Sequence, residues 1–198
     1  MKAVLISIQP QYCELIARGK KTIEVRKTRP KIETPFKCYI YMTATKERCK
    51  FWEYITAYQN SKGEVLNGSQ KVIGEFVCDR ITCCQAYYGD SGEKHLTNLF
   101  GVDTSKTCLS WNEIFDYIIG KEKKDATGWL WHISDLKIYD KPKELREFCA
   151  YCKKETEDAD EDCKGCSYVF KGTTTGEIYC DRVILRPPQS WQFVEELE

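Results

Sequence analysis

The sequence predicts an α+β protein: a small β-barrel with short flanking helices and an inserted cysteine-rich, zinc-binding segment. Many short segments alternate apolar and polar residues, as strands with one buried face do. Only a few segments show helical spacing, and no internal repeat is visible. Many short strands joined by turn signals, with few helices, are typical of an α+β protein built on a small barrel. We expect a single domain over residues 1–198.

The predicted elements follow from spacing and from turn signals. Strands are predicted over residues 3–8, 22–26, 38–42, 71–84, 128–139 (a pair), 182–185 and 190–194. Helices are predicted from Pro10 to Gly19, over 93–100 and over 110–119, where Ser110 and Glu113 fit a capping box. Residues 44–70 are polar and rich in turn signals, and we expect a loop or hairpin insertion there.

Composition excludes several classes of protein. The 198 residues are 42% hydrophobic and 13% aromatic, which excludes global disorder. Thirty Lys and Arg balance thirty Asp and Glu, so the chain does not coat nucleic acid by bulk charge. No segment approaches the ~20 apolar residues of a membrane span, and the apolar run at the N-terminus is too short for a secretory signal. We therefore expect a cytoplasmic protein without a membrane partner.

The twelve cysteines divide into two groups. Seven are scattered and are expected to be small buried apolar side chains: Cys13, Cys38, Cys49, Cys78, Cys83, Cys84 and Cys108. Two CxxC pairs, Cys149/Cys152 and Cys163/Cys166, lie ten residues apart inside an expected insertion over 146–181. Four thiolates in two such pairs fit a structural Zn(Cys)₄ site, with Cys180 as a substitute ligand. Two disulfides, free thiols or a redox role remain alternatives.

Positive charge is concentrated in residues 17–37. The segment holds two acidic residues, Glu24 and Glu33, and eight basic ones: Arg18, Lys20, Lys21, Arg26, Lys27, Arg29, Lys31 and Lys37. Focused charge of this kind attracts phosphate or another anion. The alternative is a solvated basic surface, on which Glu24 and Arg26 form an ordinary ion pair.

Residues 19–26, Gly-Lys-Lys-Thr-Ile-Glu-Val-Arg, fit the pattern G-x-K-x-x-E-x-R. This pattern resembles the signature of the ASCH domain, which is itself similar to the PUA RNA-binding domain. The stretch 128–145 and the C-terminal Pro-Pro-Gln-Ser-Trp after a cysteine-rich stretch resemble ASCH-like proteins of bacterial prophages. The resemblance covers roughly residues 1–145 and 182–198. It implies a PUA-like barrel with a cleft beside the signature that binds RNA, DNA or nucleotides.

The same resemblance implies a possible catalytic set. Some small ASCH-like proteins remove the acyl group from N4-acetylcytidine with a lysine, a threonine three residues later and a distant glutamate. Here Lys21 stands at the lysine position, and Glu24 stands where the threonine would be. Glu113 is the nearest candidate for the distant carboxylate, although its capping-box role explains it equally well.

We expect an RNA- or nucleotide-binding module, because cations, carboxylates and aromatic rings recognise phosphates and bases. The candidate ligand-binding residues are Lys20, Lys21, Thr22, Glu24, Arg26, Arg29, Tyr41, Trp129 and His132. The aromatic residues and His132 could equally be parts of the core. The first alternative function is an amidohydrolase acting on N4-acylated cytidine. The second is a phage-encoded adaptor between proteins.

Overall fold

The computed structural model describes residues 1–44, 57–121, 124–152, 167–171 and 178–197. The described strands are β1 Lys2–Ile8, β2 Ile23–Arg26, β3 Phe36–Met42, β4 Ala57–Gln59, β5 Val65–Asn67, β6 Val72–Tyr88, β7 Lys94–Thr97, β8 Asp125–Lys143, β9 Val169–Lys171, β10 Ile178–Cys180 and β11 Trp191–Glu195. The α-helices are α1 Pro10–Ala17 and α2 Trp111–Ile119, and short 3-10 helices cover Thr104–Thr107 and Leu145–Glu147.

A seven-stranded sheet forms the body of the protein. Its strand order is β11-β1-β3-β6-β8-β2, and β7 pairs with the far part of β6. The pair β1 and β3 is parallel, and the other neighbours are antiparallel. Two small antiparallel pairs, β4 with β5 and β9 with β10, lie apart from it.

The predicted closed barrel is wrong: the described strands form an open sheet. No ladder among them joins β2, at one end of the order, to β11 at the other. Side chains bridge this gap instead, since the Arg26 guanidinium donates to the Ser7 carbonyl at 2.5 Å and Trp191 Nε1 donates to Thr28 Oγ1 at 3.0 Å. The four residues of β2 are paired with β8 alone. The mixed α+β class is confirmed.

Apolar side chains cover both faces of the sheet. One face packs against α1 through a cluster that includes Ile6, Ile16, Ile40 and Trp131. The opposite face carries two clusters. One lies under α2 and contains the side chains of Ile23, Val25, Ile114 and Leu130, among others; the other surrounds Tyr39, Tyr41 and Phe148. The opposite placement of Leu130 and Trp131 follows directly from the alternation of side chains along β8.

Most predicted elements are present, with three differences. Both α1 and α2 are found, and the Ser110–Glu113 capping box is formed. Residues 93–100 contain strand β7 rather than a helix, because they pair with the end of β6 across a short turn. Residues 128–139 belong to one long strand rather than a pair, and residues 182–185 contribute only an isolated bridge at Val183.

Gly74 marks an irregularity in β6. The register between β6 and β8 shifts between Val72 and Gly74. A Cβ atom at Gly74 would lie 2.5 Å from the Lys137 carbonyl oxygen, so the two backbones approach each other too closely for a side chain.

The two predicted insertions are described in part. Residues 57–67 of the 44–70 segment form the β4–β5 hairpin, while 45–56 lie outside the described residues. Of the predicted zinc ligands, Cys149 and Cys152 are described, and Cys163 and Cys166 are not. The zinc knuckle therefore stays a prediction. Among the described helices, none has the length and apolar character needed to cross a membrane.

Candidate functional site

A pocket of about 940 Å³ opens between the start of α1 and the side of α2. We call it the large pocket. Lys21, Glu24 and Arg26, here called the charged triad, line it together with Tyr12 and Tyr117. The G-x-K-x-x-E-x-R segment thus contributes three side chains to a single cavity.

Backbone geometry at the end of α1 places this segment. Gly19 has a φ of +67°, a left-handed conformation that ends the helix and that glycine adopts without strain. The N–H groups of Lys20 and Lys21 both donate to the Leu15 carbonyl, at 2.9 and 3.0 Å. The chain then enters β2, where Glu24 and Arg26 lie two residues apart on one face of the strand.

The Lys21 ammonium is enclosed by acceptors. Its side chain is 1% exposed. Nζ donates to the Ile23 carbonyl at 2.9 Å and to the Thr107 carbonyl at 2.6 Å, and it lies 3.2 Å from Glu24 Oε2. The ring of Tyr12 is 5.2 Å from the same nitrogen. A buried ammonium needs such partners because losing its hydration is costly.

Glu24 connects the two cations of the triad. Its Oε1 atom lies 3.1 Å from Arg26 Nε, so each carboxylate oxygen contacts one cation. The Arg26 guanidinium also donates to the Ser7 carbonyl at 2.5 Å and to Ser190 Oγ at 3.4 Å. Arg26 therefore joins the carboxylate to the end of β1 and to the segment that precedes β11. The triad as a whole carries one net positive charge.

Carboxylates stand at the mouth of the large pocket. Glu113 lies on α2, where it accepts the Ser110 backbone N–H at 2.7 Å; this bond lowers the pKa of the Glu113 carboxyl. Asp116, also lining the pocket, pairs with Lys94 at 2.7 Å. The lining thus contains two cations and three carboxylates. Burial, followed by the charges of Glu113 and Glu24, raises the pKa of Tyr12.

A second cavity, of about 540 Å³, lies beside the opposite face of β2; we call it the small pocket. Thr22 and His132 line it together with Arg80. His132 Nδ1 lies 3.2 Å from Arg80 Nη2, and its Nε2 lies 3.0 Å from Thr82 Oγ1. Burial, and then the charge of Arg80, lowers the pKa of His132. Two predicted ligand-binding residues, Thr22 and His132, are therefore separated from the charged triad.

The remaining predicted ligand-binding residues also lie outside the large pocket. Tyr41 is buried in the cluster around Tyr39, on the other face of the sheet. Trp129 is half-buried, with the Arg29 guanidinium 5.1 Å from its ring. Lys20 is exposed. Glu113, the candidate catalytic carboxylate, lines the large pocket and keeps its capping role.

Several residues of the site lie far from the G-x-K-x-x-E-x-R motif in the sequence, or carry no pattern that marks them as part of a site. Thr107, whose carbonyl accepts from Lys21, is 86 residues away in the chain. Ser190 is 164 residues from Arg26, and Gln189 lines the same pocket. Tyr12 and Tyr117 fit the helical apolar pattern and are for that reason easily interpreted as core.

Comparison with known proteins finds a similarity to the ASCH domain. The family model of the ASCH domain matches residues 6–66, a segment that contains the signature. A serine-to-alanine variant of the ASCH protein from Zymomonas mobilis is 17% identical; the match covers 98% of this chain and 89% of that one, with a TM-score of 0.51. The crystal structure of ASCH from the same organism is 20% identical, with coverages of 72% and 73% and a TM-score of 0.45. No curated protein matches the chain.

Proposed function

We propose that this chain, whose residues 6–66 match the family model of the ASCH domain, is an RNA- or nucleotide-binding module whose large pocket takes up a nucleobase or nucleoside. ASCH domains resemble PUA domains, which bind RNA. The observation that carries the proposal is the cavity of about 940 Å³ with the charged triad along its lining. Ligand pockets typically have volumes of roughly 300–1,000 Å³, so a nucleoside fits.

The charges of the pocket favour a base over a phosphate inside it. Three carboxylates and two cations line the cavity, and the carboxylates of Glu113 and Asp116 would repel a phosphate. Exposed cations outside the cavity can contact phosphate instead. Lys27 is one of them: its Nζ lies 5.5 Å from the ring of Tyr117, at the edge of the pocket. A nucleotide could thus place its base inside and its phosphate near Lys27.

Aromatic rings supply the stacking surface that base recognition needs. Tyr12 and Tyr117 both line the pocket. Every base has a π face, and stacking on an aromatic side chain contributes about 1–3 kcal/mol per base.

Fluorescence anisotropy with labelled single-stranded RNA tests this role of Tyr117. We expect Tyr117→Ala to weaken binding about tenfold, since a lost stacking contact of about 1.4 kcal/mol has that effect. Tyr88→Ala is the matched control: Tyr88 is 42% exposed, close to the 40% of Tyr117, and does not line the pocket. Equal affinities of the two variants would contradict the proposal and favour the adaptor alternative.

The salt dependence of RNA binding tests the position of the phosphate. If Lys27 contacts one phosphate, Lys27→Ala lowers the slope of log K against log salt by about 0.7. Lys62→Ala serves as the control, because Lys62 pairs with Asp140 and does not line the pocket. An unchanged slope for Lys27→Ala would place the phosphate elsewhere.

The amidohydrolase alternative has weaker support. A lysine that acts as base or nucleophile needs a free lone pair on its nitrogen. Nζ of Lys21 instead donates to two carbonyls and lies beside the Glu24 carboxylate. Incubation with N4-acetylcytidine, followed by mass spectrometry, should show no release of cytidine; release that disappears in Lys21→Ala would establish the enzyme.

We also propose a structural zinc ion held by Cys149, Cys152, Cys163 and Cys166. The support is the spacing of the two CxxC pairs. The first pair lies after the end of β8, and Cys149 itself forms an isolated bridge with Val183. Elemental analysis should find one zinc per chain, and Cys152→Ser should lower that content while Cys108→Ser leaves it unchanged. Equal zinc contents in both variants would rule out this site.

A further inference from the structure

The large pocket contains a buried carboxylate that retains unused acceptor positions. Glu24 is 6% exposed and lines the cavity. Among the described residues, each of its two oxygens contacts one cation, Lys21 or Arg26. A carboxylate offers about four acceptor positions, two on each oxygen. One position on each oxygen therefore remains for a donor from the cavity.

On the basis of the function proposed above, we propose that Glu24 makes the large pocket selective for guanine. The Watson–Crick edge of guanine presents two adjacent donors, N1–H and N2–H, which match the two free acceptor positions of one carboxylate. Cytosine and adenine present one amino group next to an acceptor nitrogen. Uracil presents a single N–H between two carbonyl oxygens, and a carboxylate repels such acceptors because it cannot donate to them.

Gln189 provides the third partner that guanine needs. Guanine O6 is an acceptor beside N1–H, so the site must also offer a donor. Gln189 is exposed, lines the pocket and carries an amide NH₂ group with two donors. Its backbone is fixed beside the cavity, because Ser7 Oγ donates to the Pro188 carbonyl at 2.6 Å and Ser7 N to the Ser190 carbonyl at 2.9 Å.

The test varies the base and leaves the protein unchanged. Five-nucleotide uridine RNAs with guanine, hypoxanthine, adenine, cytosine or uracil at the centre are compared by anisotropy at one salt concentration. Hypoxanthine differs from guanine only in lacking the N2 amino group. The difference in affinity between these two RNAs therefore measures the contribution of the N2–H donor. We expect about tenfold weaker binding for hypoxanthine than for guanine, and a loss at least as large for uracil.

Protein variants then assign the recognition to residues. We expect Gln189→Ala to reduce the preference for guanine over uracil severalfold, whereas Gln85→Ala, an exposed glutamine outside the pocket, leaves it unchanged. Glu24→Gln also disturbs the ion pairs with Lys21 and Arg26, so the base series on the unaltered protein remains the decisive measurement.

Two results would overturn this inference in distinguishable ways. If hypoxanthine and uracil bind as tightly as guanine while Tyr117→Ala weakens all of them, the pocket binds bases without selecting guanine. If Tyr117→Ala and Tyr88→Ala bind every RNA alike, the proposed function fails and the selectivity fails with it.

Discussion

The two faces of β2 are equally buried and chemically opposite. Glu24 and Arg26 are each 6% exposed and lie on the face that carries the ion pairs, whereas Ile23 and Val25 are each 4% exposed on the other face, where Val25 also touches the edge of the large pocket. The apolar face packs against α2, as a core face does. On the charged face, ion pairs offset the cost of removing the charges from water. Buried ion pairs seldom stabilise a protein more than apolar side chains of similar volume would. We infer that the charged face is kept for its chemistry and the apolar face for stability.

Removing Glu24 should produce the largest effect, because it breaks the charged face. Glu24→Ala leaves the ammonium of Lys21 and the guanidinium of Arg26 buried without their carboxylate. Breaking a buried pair in this way costs about 3–5 kcal/mol. Urea unfolding followed by circular dichroism measures the change in the free energy of unfolding.

Glu14→Ala is the control for that measurement. Glu14 pairs with Arg18 at 2.7 Å on the surface of α1, where both side chains are well exposed. Such a pair contributes about 0.3–0.5 kcal/mol. Similar losses for Glu14→Ala and Glu24→Ala would mean that the charged face is solvated and that the contrast between the faces is unfounded.

A substitution on the apolar side should affect stability without affecting the ligand. Gly128 of β8 lies under α2, and a Cβ atom there would be 2.5 Å from Ile118 Cδ1 and 2.6 Å from Cγ1. Gly128→Ala should therefore destabilise the protein by about 1–3 kcal/mol through overpacking. RNA affinity should stay within twofold of the parent.

Thr127→Ala provides the comparison for Gly128→Ala, since Thr127 is the exposed neighbour on the same strand. It should leave both the free energy of unfolding and RNA affinity nearly unchanged. A loss of RNA affinity in folded Gly128→Ala, measured below its unfolding transition, would show that the two faces of β2 are coupled.

The sequence predicts the parts of the site that depend on local patterns. Alternation placed Glu24 and Arg26 on one face of a strand, and the capping box located the start of α2. Both patterns concern residues within a few positions of each other. The packing of Ile23 on the opposite face follows from the same alternation.

Contacts between distant segments were not predictable. The carbonyls of Thr107 and Ser7 hold Lys21 and Arg26, yet a backbone carbonyl has no residue type that marks it. The open edge of the sheet was not predictable for the same reason. Whether the two end strands pair depends on their positions in space, which the residue pattern of each strand does not reveal. The basic segment 17–37 was also only partly informative about the site. Of its eight basic residues, Lys21 and Arg26 are buried, which the concentration of charge does not predict.

The smallest expected effect concerns His132, on the side of the sheet away from the charged triad. Its lowered pKa means that the folded protein binds the proton less readily than the unfolded chain, whose ordinary value is 6.5. The contribution of His132 to stability is therefore complete above pH 6.5 and is lost as the pH falls through the lowered pKa. Protonation would also remove the Nδ1 acceptor 3.2 Å from Arg80.

Urea unfolding at pH 7.5 and below pH 6 measures this effect. His132→Asn should flatten the decline in stability on acidification. RNA affinity, corrected for unfolded protein, should not follow the titration of His132, because that ring lies in the small pocket. If RNA affinity does change with the protonation of His132, the two pockets are coupled across β2. The two faces of β2 would then not serve binding and stability separately.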